Sequence, residues 1–271
     1  MHQNHDQHER RMRRTVFDQV ARRYDEIRPT YPAAMIADII DLAALPPTGR
    51  ILEIGCGTGQ ATLPFAERGY RLTCVELGPE LAAITMAKCA AYPNVQVVNM
   101  AFEDWPIEPQ AYDLVMSATA FHWIPPDIGY PKAAQLLKDS GSLAIFSNEH
   151  PTPFTGFFDA VQAVYQQVVP EWRHPNTEPS TEAAIESTTA AINRLGLFAP
   201  VAVRTYRWSR SYTAEEYIKL LNTYSDHLLL AEQKRKRLHD GIQALIEDEY
   251  GGTITKPYLT ILYIAKKRAQ S

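Results

Sequence analysis

The chain has 271 residues, 45% of them hydrophobic and 21% charged, with a formal net charge of −4. That is the balance of an ordinary soluble globular protein. It speaks against a broad basic surface for nucleic acid, and no apolar run reaches the ~20 residues of a membrane span.

In chain order, "MHQNHDQHERRMRR" has positive charge but no apolar segment after it, so it is not a signal peptide. Its three early histidines and polar character give residues 1–14 as a disordered tail. Residues 15–27 carry apolar side chains at helical spacing, and Pro29 and Pro32 then break the helix. Residues 33–44 form a second helix, closed by Pro46 and Pro47. A regular alternation follows. Strands are expected at 50–55, 71–77, 95–100, within 112–120 and at 142–148. Helices are expected at 60–69, 79–91 and 131–141, the last ending in a glycine turn. Strands rich in Ile, Val and Leu separated by helices imply a parallel sheet covered on both faces.

Beyond residue 150 the pattern loosens into a proline- and aromatic-rich stretch at 150–179. A helix follows near 181–195, then a strand at 201–208, a helical stretch at 213–249 with the basic run "KRKR", and a last strand within 253–268. There is no internal repeat and no linker long enough to separate a second domain. The expected organisation is a single domain at 15–271, with an N-terminal helical lid at 15–45 and cap insertions at 150–200 and 213–250. Cys56, Cys74 and Cys89 are odd in number and lack metal-ligand spacing, which reads as buried thiols of a cytoplasmic protein.

"ILEIGCGTGQ" runs a buried strand into Gly55, Gly57 and Gly59. Such a turn lets a ligand approach the backbone, and the helix behind it offers unpaired N–H groups. The glycines run G-x-G-x-G, with Gln60 where a dinucleotide fingerprint has its third glycine. No Gly-Lys-Ser/Thr follows, so this is not a Walker loop. Glu76 ends the second strand about 20 residues on, where a carboxylate can accept from both ribose hydroxyls. The ligand therefore contains a ribose, and the loop need not hold phosphate.

"ILEIGCGTG", Glu76 and "AFEDW…YDLVMSATAFHWI" resemble the class I S-adenosylmethionine-dependent methyltransferases, most nearly the small-molecule enzymes of the type 11 group. "VFDQVARRYDEIRPTYP" resembles their lid segment. The resemblance covers residues 15–150 and continues more loosely to the end. It implies a Rossmann-like, seven-stranded, mostly parallel sheet with helices on both faces and a helical cap. It also implies S-adenosyl-L-methionine as cofactor. Glu53, Gly55, Cys56, Gly57, Gly59 and Gln60 would surround the amino-acid end of that cofactor, Glu76 the ribose and Leu77 the adenine. Ala101 stands where many relatives have the adenine-binding aspartate, so Phe102 and Glu103 are the candidates for that contact. Ser117, Ala118 and Thr119, at the carboxyl end of strand four, would face the cofactor, as would Tyr24 and Arg28 from the lid.

His122 and His150 are the candidate bases. Tyr31, His122, Trp123, Asn148, Tyr224 and His227 are the candidate acceptor contacts. No metal is expected, because the sulfonium already activates the methyl group. The acceptor is expected to be a small molecule, without nucleic-acid or membrane partners, on a monomer or homodimer. Three readings compete with this one. An RNA or protein methyltransferase rests on "RRMRR" and "KRKR", a cofactor-binding module would lack turnover, and a nicotinamide oxidoreductase is disfavoured by Gln60.

Overall fold

Short apolar strands joined by helices bury both faces only when the helices cover a parallel sheet. In the computed structural model, which describes residues 17–177 and 179–268, seven strands form one such sheet. They are β1 (Arg50–Ile54), β2 (Arg71–Glu76), β3 (Val95–Asn99), β4 (Tyr112–Ala118), β5 (Leu137–Glu149), β6 (Ala202–Thr213) and β7 (Thr253–Lys266). Their order is β3-β2-β1-β4-β5-β7-β6, and β7 alone runs against its neighbours. The order reverses between β1 and β4. Open α/β sheets bind ligands over the strand ends at such a point. The expected tail at 1–14, with its histidines and "RRMRR", lies outside the described residues, as does the start of the expected helix at 15–27.

The helices, in chain order, are α1 (Ala21–Ile27), α2 (Ala33–Ala43), α3 (Thr62–Ala66), α4 (Pro79–Lys88), α5 (Pro126–Leu136), α6 (Phe157–Ala160), α7 (Gln162–Val168), α8 (Thr181–Arg194), α9 (Ala214–Leu221), α10 (Ser225–Leu228) and α11 (Glu232–Glu249). One sheet face buries Ile51, Leu114, Met116 and Phe146 under Met35, Ile36 and Ile39 of α2 and Phe65 of α3. The other buries Leu52, Ile54, Val115 and Leu143 under Ala133 and Leu136 of α5 and Ile192 of α8. The alternation along β1 sends Ile51 one way and Leu52 and Ile54 the other, as the period of a strand requires.

A third core forms the cap. Phe157, Phe158, Tyr217, Leu220, Leu238, Ile242 and Ile246 pack around Tyr212, Ile254 and Tyr258. The last three belong to the ends of β6 and β7, which stay paired over the whole ladder from Ala202↔Ile264 to Thr213↔Thr253. The cap is therefore carried on an extension of the sheet. Of the 150–200 insertion, α6 and α7 join the cap, whereas Ile192 of α8 belongs to the sheet core. Among the described residues, no helix is long and apolar enough to cross a membrane.

Several element boundaries differ from the sequence expectation. The helix expected at 131–141 is α5, which starts with Pro126 and stops at Leu136. Residues from Leu137 onward already belong to β5, with Leu137 opposite Tyr112 and a register irregularity before Leu114. Gly141 sits at that irregularity rather than capping a helix. A Cβ there would meet Leu137 Cδ2 at 2.9 Å and the carbonyl oxygens of Lys138 and Tyr112 at 3.0 Å. The strand expected at 201–208 runs on to Thr213, where a capping box with Glu216 turns the chain into α9. The stretch at 213–249 divides into α9, α10 and α11.

Candidate active site

The glycine loop leaves β1 at the reversal point. Gly55 has φ +69°, and a Cβ there would meet Ala120 Cβ at 2.5 Å. Only glycine fits, because the turn needs the left-handed region and the end of β4 lies against it. Glu76, at the end of β2, holds the loop from the side. Its Oε2 accepts the Gly57 N–H at 2.8 Å and its Oε1 accepts the Gly78 N–H at 2.9 Å. Glu76 also lines the cleft. Glu53 lies in phase with Ile51 inside the sheet. Its Oε2 accepts from Thr62 Oγ1 at 2.6 Å, and Oε1 is buried with no hydrogen-bond partner among the described residues. Burial pushes its carboxyl up to about 7.

The lid segment crosses above the loop and is fastened along its length. Asp18 Oδ1 accepts the N–H groups of Glu80 and Leu81 at 2.8 and 3.2 Å, capping α4 from another part of the chain. Lys88 of α4 pairs with Asp25 of α1 at 2.7 Å. Arg28 lies between the rings of Tyr24 and Tyr224, 4.7 Å from each centroid. Its Nε donates to Thr223 Oγ1 at 2.9 Å and its Nη2 to the Thr223 carbonyl at 2.6 Å. The lid is thus tied to the cap.

β4 ends in a strained turn. Thr119 has φ +54°, unusual for a β-branched residue. It is held there by its N–H to the Phe146 carbonyl at 2.8 Å and by a 2.8 Å hydrogen bond between its hydroxyl and that of Tyr31. His122 and Trp123 follow in a short turn, with Phe17 of the lid 6.1 Å from the Trp123 ring. His122 is exposed on the rim, and partial desolvation lowers its pKa.

Two joined chambers occupy this space. The first, about 810 Å³, is lined by Gly55, Gly57, Glu76, Leu77, Met100 and Phe102 on the β1–β3 side. It continues past His122 and Trp123 toward Thr181, Thr188 and Tyr263. The second, about 510 Å³, runs from Gly55, Cys56, Gly57 and Gln60 into the cap, between Tyr24, Tyr31, His150, Phe158, Tyr165, Tyr217, Tyr224, His227, Lys256 and Tyr258. Ala118, Thr119 and Asn148 line both. The topology therefore gathers most of the expected site residues around one cleft.

Glu53, Gly59, Ala101, Glu103 and Ser117 do not line it, and each has a local reason. Glu53 is inside the sheet. Ser117 is buried and donates to the Ile54 carbonyl at 2.9 Å, knitting β4 to β1. The N–H of Gly59 closes the loop onto the Cys56 carbonyl at 2.9 Å. Ala101 precedes a short helical turn, its carbonyl taken by the Asp104 N–H, and the Glu103 carbonyl accepts from Lys132 Nζ at 2.7 Å.

Polar side chains in the cap chamber are individually constrained. Asn148 donates to the Thr30 carbonyl at 3.2 Å and accepts from Thr260 Oγ1 at 2.6 Å, so it anchors the lid to β7. The Nδ1 of His150 lies 2.8 Å from the Pro151 carbonyl, which fixes the hydrogen on that nitrogen. Its Nε2 is left as an acceptor without a partner among the described residues. Burial, followed by the charge of Lys256, pushes this imidazole down to about 4. His227 is committed to a buried chain, with Nε2 3.3 Å from Tyr165 Oη and Nδ1 3.0 Å from His239 Nε2. Burial holds His227 down at about 3 and His239 at about 4, so both are neutral. Lys256 was missed by sequence reasoning. It is 7% exposed, in phase with Ile254 and Tyr258 on the buried face of β7, and burial pushes it down to about 7. A lysine inside that period-2 apolar pattern was the available signal. Among the described residues, no group of three or more His, Cys, Asp or Glu side chains could hold a metal ion.

A family model described as a methyltransferase domain matches residues 51–141, from β1 into β5. An uncharacterized methyltransferase of Mycobacterium tuberculosis is 31% identical over 125 residues, 46% of this chain and 49% of that protein. This chain thus spans about half the length of that relative. An uncharacterized methyltransferase-like protein of Schizosaccharomyces pombe is 25% identical over 222 residues, 80% of either chain. Among solved structures, a type II methyltransferase candidate of Anaeromyxobacter dehalogenans superposes with a TM-score of 0.61 at 19% identity, over 90% of this chain and 99% of that one. A Haemonchus contortus phosphoethanolamine N-methyltransferase, solved with S-adenosylhomocysteine and phosphomonomethylethanolamine, gives 0.53 at 16% identity, over 93% of this chain and 58% of that one. At these identities the structural likeness is one of fold. With the glycine loop, the acid closing β2 and the matched domain taken together, the chain carries a methyltransferase domain at residues 51–141 and is similar to the class I S-adenosylmethionine-dependent methyltransferases.

Proposed function

We propose that the protein binds S-adenosyl-L-methionine and transfers its methyl group to a small-molecule acceptor. The observation that carries this reading is the continuity of the cleft. A nucleoside-sized chamber beside Glu76 opens, across Gly55 and Gly57, into a second chamber walled by the cap. The loop fits such a cofactor because the wall at Gly55 has no room for a side chain and the Glu76 carboxylate lines the cleft beside it. Leu77, Met100 and Phe102 offer an apolar slot for a base beyond the carboxylate. Tyr24 and Arg28 would roof the amino-acid end.

The bound cofactor would supply an already activated methyl group on a sulfonium. What remains for the chain is to position the acceptor in line and keep water out. The aromatic cap walls and the fastened lid supply both. A base, if the acceptor needs one, is available at His150, whose fixed tautomer leaves Nε2 free to take a proton. His122 is the second candidate, on the rim. An RNA or protein acceptor finds little support in the "KRKR" run. Lys234 and Lys236 lie on α11 and pair with Glu171 and Asp240.

Calorimetry with S-adenosylmethionine, S-adenosylhomocysteine and NAD tests the reading. Both sulfur nucleosides are expected to bind and NAD is not. No binding of the sulfur nucleosides, or preferential binding of NAD, would refute it. Incubation of metabolite extracts with methyl-labelled cofactor then identifies the acceptor, and a label found only in RNA or protein would overturn the small-molecule part.

A further inference from the structure

The cap chamber holds a buried cation for which the proposed methyl transfer has no use. Lys256 projects from the buried face of β7 into the chamber, and its ammonium makes no hydrogen bond or ion pair with any described residue. Its neighbours are ring faces, with Nζ 5.2 Å from the Phe158 centroid and 4.9 Å from that of Tyr258. Such contacts offset only part of the cost of burying a charge, and lysines are rarely buried without a partner. The two carboxylates on the chamber wall, Glu149 and Asp226, belong to exposed residues, and the Glu149 charge acts on Lys256 from a distance without offsetting its burial. Two further donors face the same space. The hydroxyls of Tyr217 and Tyr224 form no hydrogen bond with a described residue. Arg28, the other nearby cation, already spends Nε and Nη2 on Thr223. Deep in the chamber, donors thus outnumber acceptors, whose main representative is His150 Nε2.

We infer that the cap chamber takes a methyl acceptor bearing a carboxylate, anchored by the Lys256 ammonium with its apolar or aryl body against the surrounding rings. One uncommitted buried cation matches a monoanion better than a dianionic phosphate ester. The same counter-ion keeps the lysine charged when the site is filled, because an opposite charge at contact favours the ionised form. The inference rests on the methyltransferase reading for the word acceptor, but the binding site itself does not depend on it.

The test is calorimetric titration of benzoate, phenylacetate and hexanoate, each paired with its neutral amide, into protein saturated with S-adenosylhomocysteine. Phenyl phosphate serves as the dianion arm, and wild type, Lys256→Met and Lys256→Gln are compared. At least one acid is expected to bind about tenfold or more tightly than its amide, the usual size of a charge-assisted hydrogen bond. That preference should fall to within about twofold in both variants, while S-adenosylhomocysteine affinity changes by no more than about twofold. Equal binding of all acids and amides to wild type overturns the inference, as does a preference that survives loss of the lysine. Tighter binding of phenyl phosphate than of benzoate overturns the carboxylate assignment. A parallel fall in S-adenosylhomocysteine affinity would mean that Lys256 serves the cofactor instead. If wild type binds no S-adenosylhomocysteine, the cofactor reading fails by itself, and the acid–amide comparison is made on the protein alone with the same criteria.

Discussion

Replacing Glu76 by alanine removes two things at once, and their sizes are separable. The carboxylate holds the Gly57 and Gly78 N–H groups at 2.8 and 2.9 Å and is 7% exposed. Hydrogen bonds to a charged group contribute about 1.5–3 kcal/mol each, less where water can replace the lost partner. The Gly57 amide lies at the cleft, where water can replace the lost partner, whereas the Gly78 amide is buried. The expected loss of stability is therefore about 1–3 kcal/mol in total, or roughly 2–9 °C in Tm for a chain of this size. Loss of the proposed ribose contacts would add a separate penalty to cofactor binding of about 1.5–3 kcal/mol, a factor of about 10 to 150 in Kd. Glu76→Gln distinguishes the two. Its amide nitrogen must face one of the N–H donors, so it should lose affinity nearly as far as alanine although its shape is preserved. Thermal unfolding and calorimetry with S-adenosylhomocysteine measure both effects. A folded Glu76→Ala protein whose Kd lies within twofold of wild type would refute the assignment.

Other outcomes follow from the same geometry. Glu53 has its folded pKa raised from 4.5 to about 7 by burial. Its contribution to stability is therefore complete below about pH 4.5 and is lost as pH rises through 7, by up to about 3 kcal/mol. Denaturant unfolding at pH 5 and 8 should show wild type losing stability relative to Glu53→Gln over that interval, and parallel curves would argue against a buried, ionising Glu53. Gly55→Ala places a Cβ 2.5 Å from Ala120 Cβ at a φ of +69°. It should cost about 1–3 kcal/mol and abolish measurable S-adenosylhomocysteine binding; retention of full affinity would show that the loop has room. Asp18→Ala removes the cap that the lid lends to α4, about 0.5–2 kcal/mol. In stopped-flow displacement, S-adenosylhomocysteine should leave this variant several-fold faster, and an unchanged off-rate would mean the lid does not retain it.

The parts of the molecule legible from the sequence were those in which neighbours in the chain are neighbours in space. The run from "RILEIG" to Glu76 is one strand–loop–helix–strand unit, so its period, its glycines and its closing acid predicted both shape and ligand class. The end of α5 was misplaced because "LLKDSG" satisfies a helix with a glycine stop as readily as an irregular strand start. Only the pairing of Leu137 with Tyr112 decides between them. The cap was seen as helical, but its role was not, because its contacts join segments far apart. Arg28 and Thr223 are separated by 195 positions. His227 illustrates the same limit. Its place on the chamber wall was anticipated, but its engagement with Tyr165 and His239 was not.

The Arg28 clasp gives the two chambers a shared component. This side chain lines both chambers and is held by Thr223 and the Tyr224 ring. A ligand that drew the guanidinium toward one chamber would loosen or tighten the other by the same motion. Thermodynamic reciprocity then requires that whatever factor one ligand imposes on the affinity of the second is returned in full. Arg28 is accordingly the position at which filling one half of the cleft would be sensed by the other.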